Sequence, residues 1–418
     1  MGKAILDSMA VITEAFAQID ISEDEMLAIS SKIDFVHIFD NIPDLRMKGK
    51  VTYRLADILF LVFWVKLSKR TNCFMEIAVH IKINRRLYER YGLIKDGQCP
   101  SHDTIRRVMM SLDADALYEE TVNRFYEFLL SLEDEIRKSG TYRHLAMDGK
   151  SVNGSGRADD TKSPKANQHV FNVYDCGLFT CIHSEPIDKK TNEIPVGQHI
   201  LEKMNLKKTV VTADAMHCQK KTASIIHNKK GVYVLTVKDN QPLLLEEICA
   251  RFNKTPEKVH RHEREKRIVD ILLLPKGYAT DGFTGMKAFV QMTSSAGKSV
   301  CKRCFITNTI NEELICEAIE GRWMIENDLH KEKDTFLYED RIRFTDKNAV
   351  HNMAVMNNLA IQLVRIYQAV AEPNLYTAKL TVYDLPVESI QRILAVMNSA
   401  EIIRMVKSEL RAKKKPTR

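Results

Sequence analysis

Five short runs rich in β-branched and apolar residues, separated by turns and helical patterns, lie between residues 142 and 240. Each run is four to six residues long, which is a typical length for a strand. The runs are His144–Met147, His169–Tyr174, Leu178–His183, Val210–Ala213 and Val232–Val237. Helical patterns at Val196–Met204 and Gln219–Asn228 separate the later runs. Strands that are followed by alternating helices and strands predict a mixed α/β sheet rather than a β-sandwich.

The segments on either side of this region have helical periodicity. The apolar run Leu55–Leu67 is long enough to favour a buried helix, and Ser101 precedes an amphipathic run as a helix cap would. Several strand-like runs, including Ile268–Leu274 and Val300–Thr307, interrupt the chain before it becomes helical again at Asn311. We therefore predict a helical N-terminal domain over 1–140, an α/β domain over 141–370 with a β-rich insertion at about 255–310, and a helical basic tail over 371–418.

Charge is distributed unevenly along the 418 residues, whose formal net charge is +7. Residues 1–40 hold two Lys and eight Asp or Glu, whereas residues 402–418 hold seven Lys or Arg and one Glu. A basic terminus suits a polyanionic partner, although it also fits a solvated terminus without a specific role. Nine scattered cysteines are typical of a reducing compartment, and no run is long enough to span a membrane. A cytoplasmic protein is predicted.

Three acidic residues in distinctive settings are the candidates for chemistry. Asp148 and Asp214 each end a predicted strand, and Glu326 lies in a predicted helix. Two carboxylates at strand ends and a helical glutamate can bind a pair of Mg²⁺ ions, which stabilise both oxygens of an in-line phosphoryl displacement. Taken singly, Asp148 also fits an ordinary turn, Asp214 a helix cap and Glu326 a solvent-exposed ion pair.

The neighbours of Glu326 support a role at a phosphate. At helical spacing, Arg322, Glu326, His330 and Lys333 fall on one face. A metal-binding carboxylate flanked by cations could hold Mg²⁺ together with the DNA phosphates that it bridges. Trp323 falls elsewhere on the helix and is predicted to be a core residue.

An ordered series of motifs from about Phe35 to Ile366 resembles bacterial insertion-sequence transposases of the DDE type, specifically the family of the H-repeat-associated proteins. Each motif is weak alone, but the ordered set is specific. The motifs are Ile42-Pro-Asp-Leu-Arg, Pro100-Ser-His-Asp-Thr-Ile-Arg-Arg-Val, Met147-Asp-Gly-Lys, Lys190-Thr-Asn-Glu-Ile-Pro, Thr212-Ala-Asp-Ala-Met-His-Cys-Gln-Lys, Lys238-Asp-Asn-Gln-Pro, Trp323-Met-Ile-Glu-Asn-Asp-Leu-His and Glu339-Asp-Arg-Ile-Arg.

The resemblance implies an RNase H-like mixed-sheet domain whose catalytic and metal-binding residues are Asp148, Asp214 and Glu326. It implies a transposase that uses two Mg²⁺ ions, with Mn²⁺ as a substitute, to cleave element ends and transfer strands. The partners would be double-stranded DNA, namely the element ends and the target. A homodimer would bind the paired ends, and the protein would be associated with the nucleoid. Two alternatives remain: a catalytically idle DNA-binding derivative, or a stand-alone RNase H-like nuclease.

Five basic residues are expected to contact DNA. Arg322 and Lys333 match the spacing of the cations that the broader transposase clan carries around its glutamate, although the narrower family usually has His in place of Arg322. Lys150 follows the first acid, and Arg106 and Arg107 lie in the predicted N-terminal helix that would recognise the element ends.

Overall fold

The fold described by this computed structural model covers residues 4–414 except 48, 50, 138–139, 157–165, 188–192, 265–266, 280 and 297–298. The N-terminal part is helical, as predicted, and the long apolar run forms a helix whose central residues are fully buried. Its helices are α1 (Ser8–Phe16), α2 (Glu23–Ser30), α3 (Leu55–Lys69), α4 (Phe74–Ile83), α5 (Arg85–Arg90), α6 (His102–Ser111), α7 (Ala114–Tyr118) and α8 (Arg124–Ile136). The Ser101 hydroxyl accepts a hydrogen bond from the Thr104 amide at 3.2 Å, so the predicted cap of α6 is confirmed.

One mixed sheet of nine strands occupies the middle of the described chain. The strands are β1 (Arg143–Val152), β2 (Gln168–Asp175), β3 (Thr180–Ile187), β4 (Thr209–Ala213), β5 (Val232–Val237), β6 (Val259–Arg264), β7 (Arg267–Leu273), β8 (Ala288–Ala296) and β9 (Ser299–Thr307). Their order is β3-β2-β1-β4-β5-β9-β8-β7-β6. Strands β1, β4 and β5 are parallel, and the other neighbours are antiparallel.

The predicted β-rich insertion forms strands, but they do not make a separate sheet. Strand β9 pairs with β5, so the four strands β6–β9 extend the edge of the central sheet. The charged sequence at His260–Arg264, which had no predicted strand, belongs to β6. Its side chains are partly exposed at the last strand of the sheet, where water can solvate charges.

Helices cover both faces of the central sheet because successive residues on its strands are buried on opposite sides. Val210 and Val234 pack with α12 (Glu312–Gly321), whereas Val211 and Leu235 belong to the core cluster that includes residues of α9 (Glu193–Lys203) and α10 (Lys220–Asn228). The other helices after β5 are α11 (Pro242–Lys254), α13 (Lys331–Thr335), α14 (Lys347–Val370), α15 (Leu375–Asp384), α16 (Pro386–Asn398) and α17 (Ala400–Lys414).

The C-terminal helices pack against the N-terminal ones and do not form an isolated tail. Helix α16 contacts α2 and α3, and α17 contacts α1 and α8. Arg411 forms a two-pronged ion pair with Glu135 at 2.7 and 3.0 Å, and Lys413 pairs with Glu14 at 2.7 Å. Basic residues of the predicted tail are therefore engaged by acidic residues of the N-terminal helices.

None of the helices in the described ranges combines the length and apolar character that a membrane crossing requires.

Candidate active site

Asp148 and Asp214 lie side by side because their strands are parallel neighbours in register. Met147 pairs with Ala213, and the two aspartates are the next residues on β1 and β4. Strand β4 ends at this level, so Asp214 lies at a carboxyl end, where open α/β sheets bind ligands. Asp148 does not end its strand as predicted. The antiparallel ladder with β2 continues β1 to Val152.

Glu326 reaches the site on a helical segment that passes closely over β1. The segment Ile325–His330 is π-helical and continues into α13. Its Ile325 and Leu329 side chains are buried. The close passage depends on Gly321, because a Cβ atom there would lie 2.7 Å from Nδ1 of His144 on β1. The Glu326 side chain itself remains 44% exposed.

Electrostatic interactions link the three acids. Burial raises the pKa of Asp148 to about 7, with further contributions from the negative charges of Glu326, Asp214 and Glu193. The His330 Nδ1 atom lies 3.7 Å from Oδ2 of Asp148. Burial, helped by nearby lysines, lowers the pKa of His330 to about 3, so this imidazole is neutral and does not offset the aspartate charge.

Asp214 and Glu326 each have a cationic partner. Lys238 Nζ donates a hydrogen bond to Asp214 at 3.0 Å, and Arg322 Nη1 donates one to Glu326 at 3.3 Å. Burial opposes ionisation of Asp214, but the Ala215 amide, Lys238 and Arg322 outweigh it and lower the pKa of this carboxyl. Asp148 has no such partner within salt-bridge distance among the described lysines and arginines.

The donor set has the chemistry that Mg²⁺ prefers, namely carboxylate oxygens. Within the described ranges, no three His, Cys, Asp or Glu side chains form a preassembled metal cage. Magnesium sites in phosphoryl-transfer enzymes commonly use one or two protein carboxylates, with water and substrate phosphate completing the shell. A divalent cation at Asp148 would relieve the carboxylate repulsion described above. The residues present thus fit a divalent metal ion.

Three of the cations expected to contact DNA, Arg322, Lys150 and Lys333, are buried, and the two lysines share a buried acidic partner. The Lys333 side chain is 1% exposed and lies 3.8 Å from Glu339, and Lys150 is 7% exposed and lies 3.3 Å from the same carboxylate. Lys150 also pairs with Asp334 at 2.8 Å. The predicted helical face turns inward at Lys333 because Glu339, itself buried, supplies a counter-charge there. The pairing with buried Glu339 argues against a direct phosphate contact by either lysine.

The three arginines among the predicted DNA contacts occupy two places. Arg322 lies at the site, where its guanidinium bonds to Glu326 and stacks on Trp323 at 4.3 Å. Trp323 is only partly buried, and Arg267 and Arg303 of the extended sheet also lie over its ring. Arg106 and Arg107 are exposed on α6 in the N-terminal helical region.

One acidic residue at the site was not among the candidates. Glu193 is the first residue of α9. The atoms of its carboxylate lie only 2.4–2.5 Å from the position that a Cβ atom on Gly149 would occupy. The residue belongs to the motif Lys190-Thr-Asn-Glu-Ile-Pro, of which Lys190–Asn192 lie outside the described residues. Position within that motif was the available signal, since a glutamate at a helix start otherwise suggests capping.

Comparison with known proteins gives two matches to family profiles. Residues 139–363 match the "Transposase DDE domain", and residues 36–124 match the region described as "DDE_Tnp_1-associated". The chain is 26% identical over 360 residues to "Putative transposase YncI" of Escherichia coli O157:H7, covering 81% of this chain and 88% of that protein. It is 25% identical over 345 residues to "H repeat-associated putative transposase YhhI" of Escherichia coli strain K12, covering 77% and 88%.

A solved structure, the piggyBac transposase synaptic complex with hairpin DNA, overlaps 98% of this chain and 85% of its own. Its TM-score of 0.40 and 12% identity are too low to carry an argument. The DDE-domain match covers more than half of the chain and includes all three predicted acids. The resemblance to the H-repeat-associated proteins is therefore confirmed, and the chain belongs to the DDE-domain transposase family.

Proposed function

We propose that this protein cleaves DNA at the ends of an insertion sequence and joins the released ends to target DNA. The observation that carries the proposal is the placement of Asp148 and Asp214 on adjacent parallel strands, with Glu326 close enough to raise the pKa of Asp148. Strands β1–β5 with their flanking helices would form an RNase H-like domain within 141–370. The strands β6–β9 would be its insertion.

The three acids would share the work of holding two Mg²⁺ ions. Asp148, which lies next to both other acids, would contact both ions, while Asp214 would hold one ion and Glu326 the other. When bound, the ions would activate a water molecule and stabilise the charge that develops on the phosphate oxygens. Mn²⁺ would substitute because it accepts the same oxygen ligands.

Arg322 and Lys238 would contribute to phosphate binding at the same place. Each now neutralises one acid, at 3.3 and 3.0 Å. If a divalent cation binds the carboxylate, the guanidinium of Arg322 or the ammonium of Lys238 is free to donate a hydrogen bond to a phosphate oxygen. Cleavage leaves a 3′-hydroxyl on the element, and this hydroxyl then displaces a 3′-oxygen of the target strand.

The test is Mg²⁺-dependent nicking of DNA that carries the element ends, followed by strand joining to a second duplex. Asp148→Asn, Asp214→Asn and Glu326→Gln should each abolish nicking and leave end binding in place. Asp134→Asn, an exposed change on α8, is the control and should nick like the parent. Nicking by the Asp148→Asn protein would refute the assignment.

The same assay separates the two alternative functions. Cleavage that does not require the end sequences and is never followed by joining would identify a stand-alone nuclease. End binding without any Mg²⁺- or Mn²⁺-dependent cleavage would identify an idle DNA-binding derivative.

We further propose that residues 1–140 recognise the ends and that a homodimer holds two of them. Light scattering of the DNA complex measures that stoichiometry.

A further inference from the structure

Glu193 is held against the catalytic strand by two close approaches. Its carboxylate occupies the space that a side chain at Gly149, the residue after Asp148, would need. One turn along α9, a Cβ atom on Gly197 would lie 3.0–3.1 Å from Phe171, His217 and Met147. The absence of a side chain at both glycines therefore lets α9 lie tightly on the sheet and brings its first residue against β1 at the position next to Asp148.

The negative charge of Glu193 acts on the Asp148 carboxyl, and neither acid has a neutralising lysine or arginine in the described part of the chain. Asp214 and Glu326 have Lys238 and Arg322, respectively. In contrast, no lysine or arginine in the described part of the chain lies within 4.0 Å of Asp148 or Glu193. Two partly buried carboxylates side by side are unfavourable unless a cation lies between them.

A second observation at this place also points to a ligand. His217 is 1% exposed, and neither of its ring nitrogens has a hydrogen-bond partner. Its Nε2 atom faces Glu193, 3.8 Å from Oε2. Buried polar groups usually have hydrogen-bond partners. An imidazole without a partner, beside a carboxylate without a counter-charge, therefore indicates that a ligand binds at this place.

We propose that Glu193 is a fourth acidic residue of the active site and supplies a carboxylate ligand to the divalent cation held by Asp148. The proposal rests on the transposase function proposed above, because that function requires the cation. His217 would then be a positioning residue that keeps the Glu193 carboxylate turned toward Asp148. The four carboxylates together would carry a charge of about −4, which is equal and opposite to that of two Mg²⁺ ions.

The experiment is titration of the full-length protein with Mn²⁺ in the absence of DNA, followed by electron paramagnetic resonance. Glu193→Gln should weaken Mn²⁺ binding by about tenfold or more, the scale of effect found for residues around a metal site. Glu193→Asp, which keeps the charge, should recover part of that loss. Glu202→Gln removes an exposed carboxylate from the same helix and should bind as the parent does.

Gly149→Ala provides an independent variant. It retains all four carboxylates but places a methyl group where the Glu193 carboxylate lies, so it should also weaken Mn²⁺ binding. Circular dichroism checks that each variant is folded. If Glu193→Gln and Gly149→Ala bind Mn²⁺ as tightly as the parent while Asp148→Asn does not, the Glu193 proposal is wrong and the three-acid site stands. If Asp148→Asn also binds normally, the proposed metal site itself fails.

Discussion

Asp148 is the residue on which the electrostatics of the site converge. It lies among three other carboxylates, and its nearest imidazole is neutral. An aspartate in this setting is costly to ionise, which is a common feature of catalytic residues.

The raised pKa of Asp148 predicts a pH-dependent gain in stability from Asp148→Asn. The ordinary aspartate pKa near 3.9 applies to the unfolded chain. Since the folded pKa is about 7, the folded state binds more protons between about pH 4 and 7, and stability decreases as pH rises through that window. The asparagine side chain does not ionise, so the variant does not lose this stability as the pH rises. We expect the difference in unfolding free energy between variant and parent to grow by about 2 kcal/mol from pH 5 to pH 8.

Urea denaturation in chelator-containing buffer at the two pH values measures this difference. Asp134→Asn, at an exposed position, should show no comparable change between them. A stability difference between Asp148→Asn and the parent that is the same at both pH values would contradict the prediction.

At the scale of elements, a buried charge cluster joins the helix that carries Glu326 to strand β1. Glu339 is 1% exposed and lies between Lys150 of β1 and Lys333 of α13. Burial would raise the pKa of Glu339, but Lys333, Lys150 and an Asn357 hydrogen bond outweigh it and lower the pKa to about 2. The cluster therefore fixes the helical segment over the sheet through paired charges.

Glu339→Gln should destabilise the protein strongly, because it leaves two buried ammonium groups without their shared counter-charge. We expect a loss of about 3–5 kcal/mol in the free energy of unfolding. Glu23→Gln breaks an ion pair with Arg392 in which Glu23 is 80% exposed, and should cost less than about 1 kcal/mol. Equal losses for the two variants in urea denaturation would show that the buried cluster is not structural.

Periodicity predicted most elements well, and it failed where tertiary contacts decide the outcome. The Val232–Val237 strand has the predicted bounds, and the predicted strands place Asp148 and Asp214 on adjacent parallel neighbours. Periodicity could not predict that β1 continues past Asp148, because its partner β2 begins only at Gln168 and the pairing is a tertiary contact. It also could not predict that Lys333 is buried. The carboxylate of Glu339 balances the charge of this lysine, but no apolar pattern around Glu339 indicates that the glutamate is buried.

At the scale of the whole molecule, the helical region and the nine-stranded sheet are joined by α14, which contacts β3 as well as α1 and α6. Arg106 and Arg107 are exposed on α6, so this helix can present cations to DNA while its apolar face is packed. The N-terminal helices also depend on α16 and α17 for burial. The DNA-binding prediction is therefore best tested in the full chain.

The double variant Arg106→Ala/Arg107→Ala should weaken binding to end-containing DNA. Each lost phosphate contact should also reduce the slope of log affinity against log salt by roughly 0.9. Arg86→Ala/Arg90→Ala removes two exposed arginines from α5 and serves as the matched control. Gel-shift titrations at several salt concentrations give both quantities. If the two double variants changed the DNA affinity and the salt slope equally, the proposal that α6 contacts DNA would be wrong.

The packing of α16 on α2 has a consequence for how the chain is made. Pro386 follows Ser30 by 356 positions (386 − 30), so the ribosome synthesises α16 long after α2 has emerged. At about 5–20 residues per second, this delay is on the order of 20–70 s. During that interval the apolar face of α2 lacks its native cover and is available to chaperones or to a neighbouring nascent chain. The abundance of this protein would then depend on the rate of translation and on chaperone supply as well as on the stability of the finished fold.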